Sequence, residues 1–429
     1  MTRLPEKRPL RGALATLTTA ATAIALSAGA AGAQEITLSV WSDTPRLPTF
    51  AAYDAAHDGV TLNVLTVDPG EMLGRIQLAL QAGSELPDVI FMSDIGFTAQ
   101  LSTRGSDYLL DLTDLVPQTL VDEFYANSNS PCVLNGRLLC LRNDMAHMIT
   151  WYNKPQMEEL GLAVPTTWEE FAALGAVVGP MGMALGTGVE PFPLLAYLVS
   201  GGCDVAMPVA GAEDTLAIDL TTPVCIRAAE MVDTMLANGS LTRTGPFDPA
   251  FTAMANEGKI PLMIGPTWFG EYVIKPAYEW PVGVLAAALP LRWADQDAPL
   301  TWSWGGGTFG GWKDTAHPEA VADLIMWAAA DVGNQTTAVT LPAHEPSAIA
   351  WGAGIAADPY YAQTDVFDIQ VAAAPFSHPG YVSLRFSVTE AVSKTLTAAA
   401  TAGTPIVDAL PALETELRNL AQLNRYTVQ

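Results

Sequence analysis

Hydrophobic positions along the chain fall into short apolar runs separated by amphipathic stretches. Ile36-Thr-Leu-Ser-Val-Trp41, Val60 to Val67 and Pro87-Asp-Val-Ile-Phe91 read as strands. Between them, Thr49 to His57 reads as a helix, and Glu71 to Ala82 sets Met72, Ile76 and Leu80 on one helical face. Strands alternating with helices predict a largely parallel α/β sheet. The alternation resumes after Trp151. Trp168-Glu-Glu-Phe171 opens a helix behind a Thr166-Thr167 cap, Ile260 to Ile264 and Val282 to Leu289 read as strands, and Glu319 to Ala330 as a helix entered after Pro318. Pro342 to Pro379, rich in Pro, Gly and aromatics without a clean period, predicts mostly loop and short helices. Thr389 to Ala402 and Pro405 to Tyr426 predict helices that close the fold.

The first residues follow a different pattern. Arg3, Lys7, Arg8 and Arg11 precede an Ala/Leu/Thr-rich run from Gly12 to Ala28, and Ala31-Gly-Ala33 stands before Gln34. A basic segment, a short apolar run and an A-x-A site predict a secretory signal peptide over residues 1–33. The apolar run is shorter than the roughly 20 residues that span a bilayer. No Cys follows the cleavage site to carry a lipid, so the expected product is a periplasmic chain without a lipid anchor, starting near Gln34. Removing 33 of 429 residues leaves 396, more than one core accommodates, which predicts two lobes.

Export of that segment removes four of the 20 Lys+Arg and one of the 45 Asp+Glu, leaving 16 against 44, a net charge of -28. Such a chain repels phosphate backbones and anionic lipid surfaces, which excludes nucleic acid as a partner. Four Cys in an exported chain permit three disulfide pairings. Asn135-Gly136 between apolar runs is a hairpin signal, and a three-residue loop of Asn135, Gly136 and Arg137 would set Cys132 opposite Cys140, with Cys203 and Cys225 as the second pair. Their expected role is structural.

Reaction-bearing patterns are few. There is no G-x-S-x-G, H-E-x-x-H, G-x-x-x-x-G-K-[ST] or C-x-x-C, and His57, His147, His317, His344 and His378 form no ligand-spaced cluster, so neither a metal nor a cofactor is expected. Carboxylates are numerous enough for a paired-acid carbohydrate-active enzyme to stand as an alternative. Eleven Trp include Trp41, Trp268, Trp302 and Trp304 where a predicted strand has just ended. In open α/β sheets ligands bind beyond the carboxyl ends of the strands, and an indole face there suits the C–H side of a pyranose.

Several stretches, in order, resemble one family. Leu38-Ser-Val-Trp-Ser42, Leu86-Pro-Asp-Val-Ile-Phe91 with Met92-Ser-Asp94, Trp151-Tyr-Asn-Lys154 with Pro165-Thr-Thr-Trp-Glu-Glu170, Gly258 to Trp268, and Gly305-Gly-Gly307 with His317-Pro-Glu-Ala320 are similar to motifs of the extracellular solute-binding proteins of family 1, the maltose-binding-protein-like receptors of ABC importers. The resemblance implies a two-lobed periplasmic-binding-protein fold of type II, each lobe a mixed, mostly parallel sheet flanked by helices and joined by hinge crossovers. It implies an N-terminal lobe of 34–145 plus 295–345, a C-terminal lobe of 146–294 plus 346–429, and a first crossing near Arg142 to Met148.

The same resemblance implies the ligand residues. Trp41, Ser42 and Asp43 match the turn after the first strand, Asp94 the turn after the third, and Asp144 a hinge carboxylate. Glu190 and Phe192 match a Glu-Pro-aromatic turn, Trp268 a Gly-Pro-Trp tryptophan, Trp304 and Gly305 the mouth of the returning lobe, and Arg385 a C-terminal contact. Met92 stands where maltose binders carry a stacking Trp, so the implied ligand is a carbohydrate in the broad sense: a mono- or oligosaccharide, glycoside or polyol. The implied partners are the membrane permease subunits of an ABC importer, and the implied state is a monomer without catalysis. A binding protein for a non-sugar solute such as a polyamine is the remaining alternative, since acidic residues suit a cation.

Overall fold

A computed structural model describes residues 35–84, 86–102, 107–378 and 384–429 of the chain; the signal peptide expected over 1–33 lies outside the described residues. Its first sheet runs in the order Val60–Thr66, Ile36–Ser42, Val89–Met92, Thr308–Gly311, Leu141–Arg142. The first three strands pair in parallel, with Val40 between Val64 and Val89. The whole of Val89–Met92 is buried, as a strand covered on both faces requires, whereas Ile36–Ser42 buries Leu38, Val40 and Ser42 on one face. Thr308–Gly311 then returns antiparallel beside Val89–Met92, carrying a distant part of the chain into this sheet.

The second sheet, Leu262–Pro266, Met148–Asn153, Leu285–Ala288, is antiparallel throughout, which departs from the expected mostly parallel character. Its central strand carries Trp151, fully buried, whose indole N–H donates to the Pro266 carbonyl at 2.9 Å. Both neighbours of that strand arrive after long connections, which admit either direction, and both run antiparallel to it. A third sheet joins Thr427–Val428, Ala212–Ala217 and Met207–Val209.

Between the first two sheets the chain runs through Asn143 to His147. Asp144–Met145 pairs with Leu341–Pro342, Met148 N donates to Trp302 O, and Trp304 N donates to Ala146 O. Three stretches far apart in sequence thus travel together from one sheet toward the other. Trp302 and Trp304 therefore precede the strand Thr308–Gly311, where the sequence placed them just after one.

The expected helices form at Leu47–Ala56, Pro69–Ala82, Trp168–Val178 and Pro318–Ala330. The Trp168 helix opens with a reciprocal box: Glu170 N donates to Thr167 Oγ1 and Thr167 N to Glu170 Oε2, both at 3.2 Å. Between Pro342 and Pro379, where short pieces were expected, Glu345–Ala357 is a helix of 13 residues and Val366–Ala373 another. Rich in Ala and Gly and apolar beyond its first turn, the first carries no amphipathic stripe for periodicity to reveal. Val388–Ala402 and Ile406–Leu423 close the fold, the former through a π-helical turn at Ser393–Thr397. None of the described helices is long and apolar enough to cross a membrane.

Both disulfides close as local pairs, Cys132–Cys140 and Cys203–Cys225. The hairpin inside the first is one residue tighter than expected. Val133 faces Leu138 and Leu134 faces Arg137, so the loop is Asn135-Gly136 alone, both at positive φ, as a two-residue primed turn demands. Cys140 therefore lies one position beyond the residue opposite Cys132, yet the Cα atoms stand 4.9 Å apart, within bridging range.

Candidate functional site

The turns at the carboxyl ends of the first sheet gather a chain of charges. Ser42 ends the first strand, and Asp43 precedes a short turn, Thr44–Arg46, that swings Arg46 back toward it. Arg46 Nη1 donates to Asp43 Oδ2 at 3.0 Å, Nη2 lies 3.6 Å from Asp144 Oδ1, and the guanidinium covers the Phe91 ring at 4.3 Å. Asp144 is almost fully buried, and its Oδ1 accepts from Gly307 N at 2.9 Å and Asn143 Nδ2 at 2.8 Å.

Arg142, also buried, donates through Nε to the Asp144 carbonyl at 2.6 Å. A Cβ on Gly306 would stand 2.1 Å from Arg142 Nη2, and φ there is +90°, so only glycine admits the guanidinium. Asp94 Oδ1 accepts from Gly96 N at 2.7 Å. Burial pushes the Asp43 and Asp94 carboxyls above the usual range, the nearby arginines partly opposing it. Burial likewise pulls Arg142 down to about 10, against the pull of Asp144 and Asp94. Ser42 Oγ and Asp43 Oδ1 are buried with no hydrogen-bond partner among the described residues. Unpaired buried polar atoms are costly, and a cleft ligand is one way to satisfy them.

Joined to these turns through the Trp304–Gly307 loop is a group of aromatic rings. Trp268, just after the strand Leu262–Pro266, donates through its indole N–H to the Trp304 carbonyl at 2.8 Å. Its ring meets Trp304 edge-on at 5.5 Å and Phe269 at 4.8 Å. Trp304 in turn stacks face to face on Phe192, centroids 5.1 Å apart and planes 8° apart. Phe247 lies parallel to Trp268, at 7° and 6.4 Å. Gly305 sits between Ser93 and Trp268, so the loop of Trp304 touches both the first sheet's turns and the aromatic group. Below the rings, Met148, Pro193, Ala196, Met263 and Phe269 line a small apolar cavity.

Of the expected residues, Ser42, Asp43, Asp94 and Asp144 fall in the charged chain, and Phe192, Trp268, Trp304 and Gly305 in the aromatic group. Trp41 is half-buried at the penultimate position of its strand, opposite Ile90. Glu190 packs its carboxylate against Gly245, where a Cβ would stand 1.6 Å from Oε1, and burial with the nearby Asp248 raises its pKa. Arg385 is not brought to the site. It pairs with Asp214, donates to the Asn424 carbonyl at 3.1 Å and covers Tyr426 at 4.4 Å, pinning the C-terminal residues.

Sequence reasoning passed over Arg46, Arg142, Phe247 and Tyr272. Arg46 lies five residues after Trp41 in a turn already singled out, a signal within reach. Among the described residues, no group of three or more His, Cys, Asp or Glu is placed to hold a metal ion.

A sequence profile of the bacterial extracellular solute-binding proteins matches residues 41–335. No curated protein sequence is matched. Among solved structures, the galacto-N-biose-/lacto-N-biose I-binding protein of an ABC transporter from Bifidobacterium longum superposes with a TM-score of 0.77 at 16% identity, covering 92% of this chain and 99% of that one. An ABC-transporter-associated binding protein from B. animalis subsp. lactis, in complex with beta-1,6-galactobiose, gives 0.78 at 18% identity over the same shares, 92% and 99%. Maltose-bound MalE3 of T. maritima gives 0.70 at 17%, covering 90% and 100%. These likenesses establish the two-lobed fold.

Proposed function

Because the chain belongs to the bacterial extracellular solute-binding proteins, we propose that it is the substrate-binding component of an ABC importer, taking a carbohydrate between two closing lobes. One observation carries this reading: the Trp304–Gly307 loop accepts from Trp268 at one end and donates to Asp144 at the other, joining the aromatic group to the charged turns, where Ser42 Oγ and Asp43 Oδ1 are buried with no partner among the described residues. An indole face covers the C–H side of a pyranose, and a carboxylate oxygen accepts from its hydroxyls. Covering half of a Trp, with about 150–250 Å² in all, contributes roughly 2–3 kcal/mol at about 25 cal/mol/Å² before ordering costs. Two such rings with a few hydrogen bonds reach micromolar affinity.

The lobes are assigned as 34–145 plus 295–345 and 146–294 plus 346–429, with Asn143 to His147 as the first crossing. A ligand that touches both binds the closed state better, and that difference drives closure. Export by residues 1–33 delivers a monomer to the periplasm, where the closed form meets the permease subunits. The carboxylates of the charged chain are matched by Arg46 and Arg142, which disfavours a polyamine and suits an uncharged donor of hydrogen bonds. The likeness to proteins solved with lacto-N-biose, galactobiose and maltose supports the sugar reading.

The test is a thermal-shift screen of the mature chain against mono- and disaccharides, polyols and glycosides. A cognate sugar at 100 times its Kd stabilises by about 2.7 kcal/mol and compacts the chain in small-angle scattering. A panel with neither response would sink the proposal.

A further inference from the structure

We propose that the disulfide Cys132–Cys140 is a positioning crosslink of the ligand site: through Asn129 and Thr98 it fixes Arg142 and the turn of Asp94, so that cutting it weakens ligand binding out of proportion to stability. This goes beyond the structural role that the cysteine spacing predicts, and it rests on the carbohydrate reading above, which puts the charged turns in the cleft. Chain entropy alone gives this bond little to do. Its cysteines lie 8 residues apart, and the hairpin between them already pairs Val133 with Leu138 around the Asn135-Gly136 turn. Leu139 N also donates to the Cys132 carbonyl at 2.8 Å. Cys203–Cys225, 22 residues apart, joins the residue just beyond the helix Pro191–Ser200 to the first turn of Pro223–Ala237 and restricts the unfolded chain more.

What sets Cys132–Cys140 apart is its place. Both half-cystines are fully buried, and Arg142 follows Cys140 by two residues. Leu141–Arg142 is a two-residue strand at the edge of the first sheet, with Thr308–Gly311 on one side only. On the open side Arg142 N donates to Asn129 Oδ1 at 2.8 Å, a buried side chain standing in for the strand that is missing there. Removing that acceptor leaves a buried N–H unpaired. Asn129 belongs to the crosslinked turn, since Cys132 N donates to its carbonyl at 2.9 Å and closes Ser130–Cys132. On the other flank, Cys140 Sγ lies 3.3 Å from Thr98 Oγ1. Thr98 stands in the helix Phe97–Leu101, whose first N–H donates to the Asp94 carbonyl at 3.1 Å. One buried bond thus touches the segments that carry Arg142 and Asp94, and the Arg142 Nε bond to the Asp144 carbonyl passes the constraint on to the crossing. Groups held in place before binding cost less to order when the ligand arrives.

The experiment takes the tightest-binding sugar of the screen and measures its affinity by calorimetry for wild type, Cys132→Ser/Cys140→Ser, Cys203→Ser/Cys225→Ser and Asn129→Ala. Urea melts and amide hydrogen exchange over residues 141–145 are recorded on the same unliganded proteins. The Cys132/Cys140 variant and Asn129→Ala are expected to bind about tenfold or more weakly and to exchange faster over 141–145. The Cys203/Cys225 variant is expected to melt at lower urea than either, yet to keep its affinity within about twofold. Should the Cys132/Cys140 variant not fold, Asn129→Ala, which keeps both disulfides, decides by the same two readings. Unchanged affinity, unchanged exchange over 141–145, or losses of affinity that follow stability in both disulfide variants would each overturn the positioning role while the carbohydrate reading stands. A wild type that binds no sugar brings down that reading, and the positioning role with it.

Discussion

At Trp268 a single side chain is engaged twice, its edge bonded to the Trp304 carbonyl and its ring parallel to Phe247 within the aromatic group. Trp268→Ala should therefore weaken any sugar by more than about tenfold, by the area that one indole face covers, and leave the unliganded fold cooperative; titration calorimetry beside a urea melt checks both. His147 is the contrasting residue, buried in the crossing with its Nε2–H donating to the Gln370 carbonyl at 2.6 Å. Burial pulls its pKa down to about 4, with Arg142 adding to that pull and the bond to Gln370 opposing it. A folded pKa below the unfolded value means that the unfolded chain takes up the proton first. The contribution of neutral His147 is thus complete above about pH 6.5 and lost as pH falls toward 4. Between pH 7 and pH 5 wild type should lose on the order of 2 kcal/mol relative to His147→Gln, which cannot titrate. Parallel pH profiles of the two proteins would refute this.

Among the elements, the local disulfides were legible because their partners lie close in a chain whose first residues predict export. The three-residue hairpin loop was misread because Arg137 could belong to turn or strand until its pairing with Leu134 placed it. Cys203–Cys225 spans the larger loop, 22 residues apart against 8 for Cys132–Cys140. On the chain-entropy account, replacing both Cys203 and Cys225 by Ser should destabilise by about 3 kcal/mol, and the Cys132/Cys140 double variant by about 1 kcal/mol less. Urea midpoints of the two variants would show whether that order holds. Strands and amphipathic helices announced themselves by period, whereas Glu345–Ala357, apolar nearly all round, did not.

For the whole molecule, the consequential feature is that three segments, near residues 144, 303 and 341, run together between two sheets. That arrangement brings the Trp304–Gly307 loop against both the charged turns of one sheet and the aromatic rings beside the other, and it is the reason ligand is expected to compact the chain in scattering. The alternation of strands and helices, the ordered motifs and the acidic balance were properties of the sequence, because period, local capping and net charge need no knowledge of distant neighbours. Trp268 was readable for the same reason, standing just after an apolar run. Arg142, Arg385 and Phe247 were not. Arg142 acquires its place only when Gly306, over a hundred residues away, leaves room for it. Arg385 is drawn to Tyr426 and Asp214, away from the site. Phe247 sits in a Gly-Pro-Phe turn that reads as a connector, and its alignment with Trp268 exists only once Tyr278 and Glu190 have fixed that turn. Which aromatic faces stay open to a ligand and which are used up on each other is a matter of packing between remote segments, and only the tertiary structure decides it.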